Sequence, residues 1–149
     1  MKNICTVEIE APIAKVFDFI NDEDKHKLWL EGLVETIREP GYDRKNPLGS
    51  KFTQKIREGN KVEVYDGVVT AFERPKHLGA RVRNKSLTVQ ADYRLRSVKK
   101  ITHLEFVTEV TFHNLALKLV AGTGLSKTIM RGVLEKQMQT VKQLIEAEN

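Results

Sequence analysis

Ile129-Met130-Arg131-Gly132-Val133-Leu134-Glu135-Lys136-Gln137-Met138-Gln139-Thr140-Val141-Lys142-Gln143-Leu144-Ile145 is the stretch that decides the architecture. Apolar side chains fall at Ile129, Met130, Val133, Leu134, Met138, Val141, Leu144 and Ile145, with Arg131, Glu135, Lys136, Gln139 and Lys142 between them. That spacing is the 3.6-residue period of a helix with one wide apolar face. Ser126 is a natural N-cap, so the helix is expected from about Ser126 to Ala147. A face this wide needs a large partner surface. Most of the chain before it reads with period 2, so the partner is a curved sheet.

Working back from the helix, Asn114 is placed to cap a short helix over Leu115 to Ala121, and Gly122-Thr123-Gly124 interrupts it. Upstream lie alternating stretches. Phe52, Gln54 and Ile56 share a face, and Val62, Val64, Asp66, Val68, Thr70 and Phe72 read as the inward set of the next strand. Leu78, Ala80 and Val82 follow, then Leu87, Val89, Ala91, Tyr93 and Leu95, then Leu104, Phe106, Thr108, Val110 and Phe112. A turn at Lys99-Lys100 sets Leu95 opposite Leu104, Tyr93 opposite Phe106 and Ala91 opposite Thr108. On the other face it sets Arg94 against Glu105. A turn at Asn84-Lys85 sets Val82 opposite Leu87 and Ala80 opposite Val89. Both registers keep the apolar sets together, which a one-residue slip would destroy.

At the N-terminal end, Ile4 to Ile9 reads as a strand with Cys5, Val7 and Ile9 on one face. Pro12 opens a helix through Val16, Phe17, Phe19 and Ile20, and a second short helix ends at Leu28-Trp29. Leu33 to Glu39 is a modest strand before a polar loop from Pro40-Gly41 to Gly49.

Composition narrows the class. The 149 residues are 40% hydrophobic and 30% charged, which suits one soluble domain spanning residues 1–149. No apolar run approaches the ~20 residues of a membrane span. Met1 to Cys5 lacks the apolar core of a signal peptide, and the single Cys5 suits a reducing compartment, so a cytoplasmic location is expected. The +5 charge is spread rather than blocked, and the outward strip of Arg81, Arg83, Arg94 and Arg96 has only Tyr65 for an aromatic neighbour. Nucleic-acid binding is therefore not expected. His26, His77, His103 and His113 have no metal-ligand spacing, and no glycine-rich phosphate loop is present, so neither metal nor organic cofactor is expected.

Three segments together resemble a known superfamily: Val7-Glu8-Ile9-Glu10-Ala11-Pro12-Ile13-Ala14-Lys15-Val16-Phe17 with Trp29 downstream, Gly67-Val68-Val69-Thr70-Ala71-Phe72-Glu73-Arg74-Pro75, and the final helix. Their order resembles the helix-grip fold of the START-like, or SRPBCC, superfamily, most of all the bacterial polyketide cyclase/dehydrase-like proteins. The resemblance covers nearly the whole chain. It implies an α+β fold: six or seven antiparallel strands, two short helices after the first strand, and the long C-terminal helix gripped by the sheet. It also implies a deep pocket between sheet and helix. None of the three segments marks a ligand or a reaction, because this fold hosts binders, cyclases and chaperone regulators alike.

The lining expected for that pocket is Val64, Val68, Ala80, Val82, Val89, Ala91, Tyr93, Phe106, Thr108 and Val110 from the sheet, with Trp29 near the mouth. Met130, Val133, Leu134 and Met138 join it from the helix. Gln54, Asp66 and Thr70 are the polar residues on the same face. Ala80, Ala91 and Thr108 are small and leave volume, and methionine adapts to irregular shapes; the plainer alternative is a core filled solid. Leu115 to Gly124 is expected to border the entrance. Asp66 and Tyr93 are the candidate catalytic groups, since a carboxylate or phenol facing an apolar cavity has a shifted pKa. His26, among Asp22, Glu23, Asp24, Lys25 and Lys27, reads as solvated.

Three functions fit. The first is a binder of a small hydrophobic molecule such as a lipid, polyketide-like or aromatic metabolite. The second is a cyclase/dehydratase-type enzyme using an inward Asp66 or Tyr93. The third is a protein-interaction or chaperone-regulating module. A monomer or weak homodimer is expected in each case.

Overall fold

The computed structural model describes residues 1–148. Seven strands form one antiparallel sheet: β1 (Lys2–Ile9), β2 (Leu33–Arg38), β3 (Lys51–Glu58), β4 (Lys61–Glu73), β5 (His77–Arg83), β6 (Leu87–Val98) and β7 (Ile101–Phe112). Their order across the sheet is β1-β7-β6-β5-β4-β3-β2. Between β1 and β2 come helix α1 (Ile13–Asn21), a 3-10 turn (Glu23–Lys25) and helix α2 (His26–Trp29). Helices α3 (Leu115–Ala121) and α4 (Gly124–Ala147) follow β7. The curved sheet with a long C-terminal helix across it is the helix-grip fold.

The β6–β7 hairpin has the register its sequence predicts, including Leu95 opposite Leu104 and Arg94 opposite Glu105. Lys99 and Lys100 both hold positive φ, 51° and 69°, as a two-residue hairpin turn with the right twist demands. The β5–β6 register differs from expectation by two residues. Val82 faces Val89, and Ala80 faces Ala91. The cause is Asn84, whose Oδ1 accepts the amides of Ser86 and Leu87 while its own amide donates to the Leu87 carbonyl. This closes the turn one residue later, and a two-residue shift keeps the same faces.

Strand β4 departs further. Its inward side chains are Tyr65, Gly67, Val69 and Phe72, so Val64, Asp66, Val68 and Thr70 face the outer side. A bulge between Val69 and Ala71 explains it. One extra residue reverses the alternation, so counting back by twos from inward Phe72 selects the wrong face. Tyr65, expected outside, is buried, and its hydroxyl donates to Glu58 Oε1 at 2.5 Å. Gly67 is required by close approach: a Cβ there would lie 2.3 Å from the Phe52 ring, which crosses over it.

The core lies between the sheet's inner face, α1 and the second half of α4, with Val16, Phe17, Phe19, Ile20, Leu134, Met138, Val141 and Ile145 buried against β1, β6 and β7. Burying each such side chain contributes about 1.5–3 kcal/mol. Phe17 meets Phe72 edge-on at 5.4 Å. The last turns of α4 are tied to β1: Lys142 Nζ donates to the Glu8 carbonyl at 2.6 Å, and the Glu10 amide donates to Glu146 Oε2 at 3.1 Å. At its start α4 is capped by Thr123, whose hydroxyl accepts from the Ser126 amide, so the helix begins two residues earlier than the sequence suggests.

Candidate functional site

Four residues with small or short side chains stand side by side across four adjacent strands. Val69 pairs with Ala80, Ala80 with Ala91, and Ala91 with Thr108. Larger residues flank this row, with Tyr93 and Phe106 on one side and Val82 and Val89 on the other. A row of short side chains under a helix leaves space. A hollow of about 260 Å³ lies there, bordered by Leu134 and Gln137 of α4, with Ile20, His26, Trp29, Arg38, Tyr42 and Phe52 also in its wall.

Of the residues singled out from sequence, Trp29, Gln54, Ala80, Val82, Val89, Ala91, Tyr93, Phe106, Thr108 and Leu134 line this hollow. Val110 and Met138 are buried outside its wall, Met130 packs on the core, and Val133 is exposed. Val64, Asp66, Val68 and Thr70 lie on the opposite face because of the β4 bulge. Asp66 and Val68 line an open groove of about 620 Å³ there with Lys51, Arg81 and Arg83. Asp66 stands opposite Arg83 in register, removed from the hollow by the thickness of the sheet. Thr70 accepts from Gln90 Nε2 at 3.0 Å on the same outer side. The groove is larger than the hollow, but it is lined by Lys51, Asp66, Arg81 and Arg83, whereas the hollow is more recessed and its wall is mostly apolar, as in small-molecule sites. Residues 115–124 contribute nothing to the hollow's wall.

Tyr93 is buried, and that burial pushes its phenol pKa well above the ordinary value. At neutral pH it is a neutral hydroxyl, not a base. Its ring packs against Phe106 at 4.3 Å and meets Trp29 edge-on at 6.0 Å.

The wall also holds polar groups whose burial the sequence did not suggest. His26 lines the hollow instead of facing solvent. Its Nε2 donates to the Ile20 carbonyl at 2.7 Å, so in the neutral ring Nδ1 is an acceptor. Burial, more than any neighbour, lowers its pKa. Arg38 Nε donates to Glu23 Oε2 at 2.8 Å, and the guanidinium lies 4.5 Å from the Tyr42 ring and 5.0 Å from the Phe52 ring. These contacts bind the helical pair to the sheet. Among the described residues, four side-chain atoms of this wall are buried with no protein partner: His26 Nδ1, Trp29 Nε1, Arg38 Nη1 and Thr108 Oγ1.

The chain is similar in fold to several solved structures. Protein TTHA0849 from Thermus thermophilus superposes with a TM-score of 0.76 at 9% identity, covering 100% of this chain and 99% of that one. The di-domain ARO/CYC StfQ from the steffimycin biosynthetic pathway gives 0.75 at 9% identity, over 99% of this chain and 51% of that one. Aha1 from Colwellia psychrerythraea, whose solution structure is a dimer, gives 0.68 at 14% identity, over 98% and 96%. Among the described residues no helix is long and apolar enough to cross a membrane. A family model described as polyketide cyclase / dehydrase and lipid transport matches residues 5–146, and the chain belongs to that family.

Proposed function

We propose that this protein binds a small, mostly apolar molecule (a lipid, polyketide-like or aromatic metabolite) in the hollow between the sheet and α4. The observation that carries this reading is the row Val69, Ala80, Ala91 and Thr108, in register across four strands beneath the helix. Cores are close-packed, and a dry void loses contact energy. A row of short residues walled by aromatic rings therefore suits a space that an occupant fills. Its volume, about 260 Å³, falls just below the range for small-molecule sites, about 300–1,000 Å³, which suits a small occupant. The family description, which joins cyclases to lipid transport, agrees with an apolar occupant.

Native mass spectrometry of freshly purified protein tests this. The expected spectrum contains a species heavier than the bare chain, whose excess mass leaves on denaturation. A bare chain that also takes up no neutral hydrophobic dye overturns the reading.

A second reading, a cyclase/dehydratase-type enzyme, rests on His26. His26 is in the wall of the hollow, burial lowers its pKa, and its Nδ1 has no protein partner, so the neutral ring keeps an unused acceptor of the kind a general base needs. Asp66 has no part in it, since it faces the other side of the sheet. His26→Gln would abolish turnover of such an enzyme while leaving its ligand bound.

A further inference from the structure

We infer that α3 and the first turns of α4 dock on the surface of an anionic lipid bilayer, with their exposed leucines at the boundary between headgroups and acyl chains and with Lys118 and Lys127 meeting lipid phosphates. This goes beyond the binding reading and does not depend on what fills the hollow.

Two independent observations meet in this region. The first is uncovered apolar surface. Leu119 is 70% and Leu125 73% exposed, and Leu115, Val120 and Ile129 are open to a similar degree. Leu125, Ile129 and Val133 are spaced by four and form one line along α4. A Cβ added at Gly132, beside that line, would meet no atom within 4 Å, so no other part of the described chain covers this side of the helix. A soluble protein that exposes apolar side chains next to one another in this way marks an interaction site.

The second observation is charge. Residues 110–134 include Lys118, Lys127 and Arg131 and no Asp or Glu. Arg131 is paired with Glu135 at 3.0 Å, but among the described residues Lys118 and Lys127 are in no ion pair. Both are exposed. Positive charge without compensation beside exposed leucines calls for a partner that is anionic and apolar at once.

A second copy of the chain does not meet that demand. In a twofold contact the same patch faces itself, which sets like charges together with no carboxylate from residues 110–134 to separate them. The form of α3 distinguishes a bilayer from an acidic protein. Leu115, Ala116, Leu117, Leu119 and Val120 are all exposed, and at 3.6 residues per turn they cover about 200° of the helix. A groove in a protein takes the ~100° stripe of an amphipathic helix. Acyl chains and headgroups close around a wider one, while long lysine side chains reach back to the phosphates. No helix among the described residues is long and apolar enough to cross a membrane, so the contact is peripheral.

Co-sedimentation of the full chain with lipid vesicles tests this. The two probes are pure phosphatidylcholine vesicles and the same vesicles with about 30% phosphatidylglycerol. The protein is expected to partition onto the anionic vesicles at least about tenfold more strongly than onto the neutral ones. Leu119→Gln with Leu125→Gln keeps both the charge and good helix formers at exposed positions, and is expected to weaken that partitioning at least about tenfold. Lys118→Gln with Lys127→Gln is expected to weaken it to a similar degree on anionic vesicles alone. Arg94→Gln with Arg96→Gln removes the same charge from the sheet's outer side and is expected to change nothing. Circular dichroism checks that each variant is folded. No partitioning onto either vesicle, or equal partitioning onto both, overturns the proposal. So does full binding by the leucine variant, or an arginine variant as weak as the lysine one, since either traces the attraction to the charge of the whole protein. A dimer in analytical ultracentrifugation that the leucine variant splits would show that a second copy covers this face, and would overturn it too.

Discussion

The two halves of α4 carry the same apolar period and meet different surroundings. In the second half, Met138, Val141 and Ile145 are buried against β1 and α1, with Val141 and Ile145 at 0% exposure. In the first half, Leu125 is 73% and Ile129 60% exposed, and Val133 is exposed as well. The helix is one element with one stripe, yet the sheet covers only part of it. The changeover falls near Leu134, where the helix begins to border the hollow. A periodic stripe therefore fixes which face of a helix is apolar, and the tertiary structure decides how much of that face is covered.

The sharpest way to break this comparison is a charge in each half. Met138→Asp places an unpaired carboxylate in a fully packed site, which costs more than about 3 kcal/mol. The protein either fails to fold or melts at least about 6 °C lower, measured by calorimetry or circular dichroism. Ile129→Asp adds the same charge to the exposed half, and its midpoint is expected within about 0.5 kcal/mol of the unaltered protein. Equal effects at the two positions would contradict the division of the helix.

Gly67→Ala ranks between them. The new Cβ would meet the Phe52 ring at 2.3 Å, so the ring or strand must shift at a cost of about 1–3 kcal/mol. Denaturant midpoints read this directly, and Phe52→Leu in the same chain is expected to recover part of the loss. If Gly67→Ala alone is silent, Gly67 does not face inward and the phase assigned to β4 is wrong.

A smaller effect concerns pH. The folded pKa of His26 lies below its ordinary value of 6.5 because burial disfavours the charged ring. Between those two values the unfolded chain binds the extra proton and the folded protein does not. The resulting stability is complete above about 6.5 and is lost as pH falls toward the folded pKa. Unfolding midpoints measured from pH ~8 down to ~5 should show that decline. His26→Gln should flatten it, with the carboxylates elsewhere unchanged. A profile with the same slope in both proteins would place His26 in solvent.

Much of the fold was legible in the sequence, and the exceptions have local causes. The β6–β7 register followed from unbroken alternation on both sides of a two-residue turn, where nothing competes with the period. The β4 phase was not legible, because Phe72 faces inward beyond the bulge and makes the wrong set, Val62 to Thr70, look continuous. The signals were there in Gly67 opposite Phe52 and in Tyr65 and Val69 at the other phase, but strand pairing is needed to weigh them. The sheet's half of the hollow, Ala80, Ala91, Tyr93, Phe106 and Thr108, was readable because β6 and β7 were. His26 and Arg38 were missed for a different reason. Each sits among charged neighbours in sequence, and only the fold brings Ile20, Glu23, Tyr42 and Phe52 around them.

The central claim is that the short side chains under α4 leave room for an apolar occupant, and Ala91→Trp tests it most directly. Ala91 sits in the middle of the row, so an indole there fills the hollow from the floor. Fluorescence titration with N-phenyl-naphthylamine should show saturable binding to the folded, unaltered protein and none to a folded Ala91→Trp protein. Equal binding by both proteins, or none by either, would contradict the account.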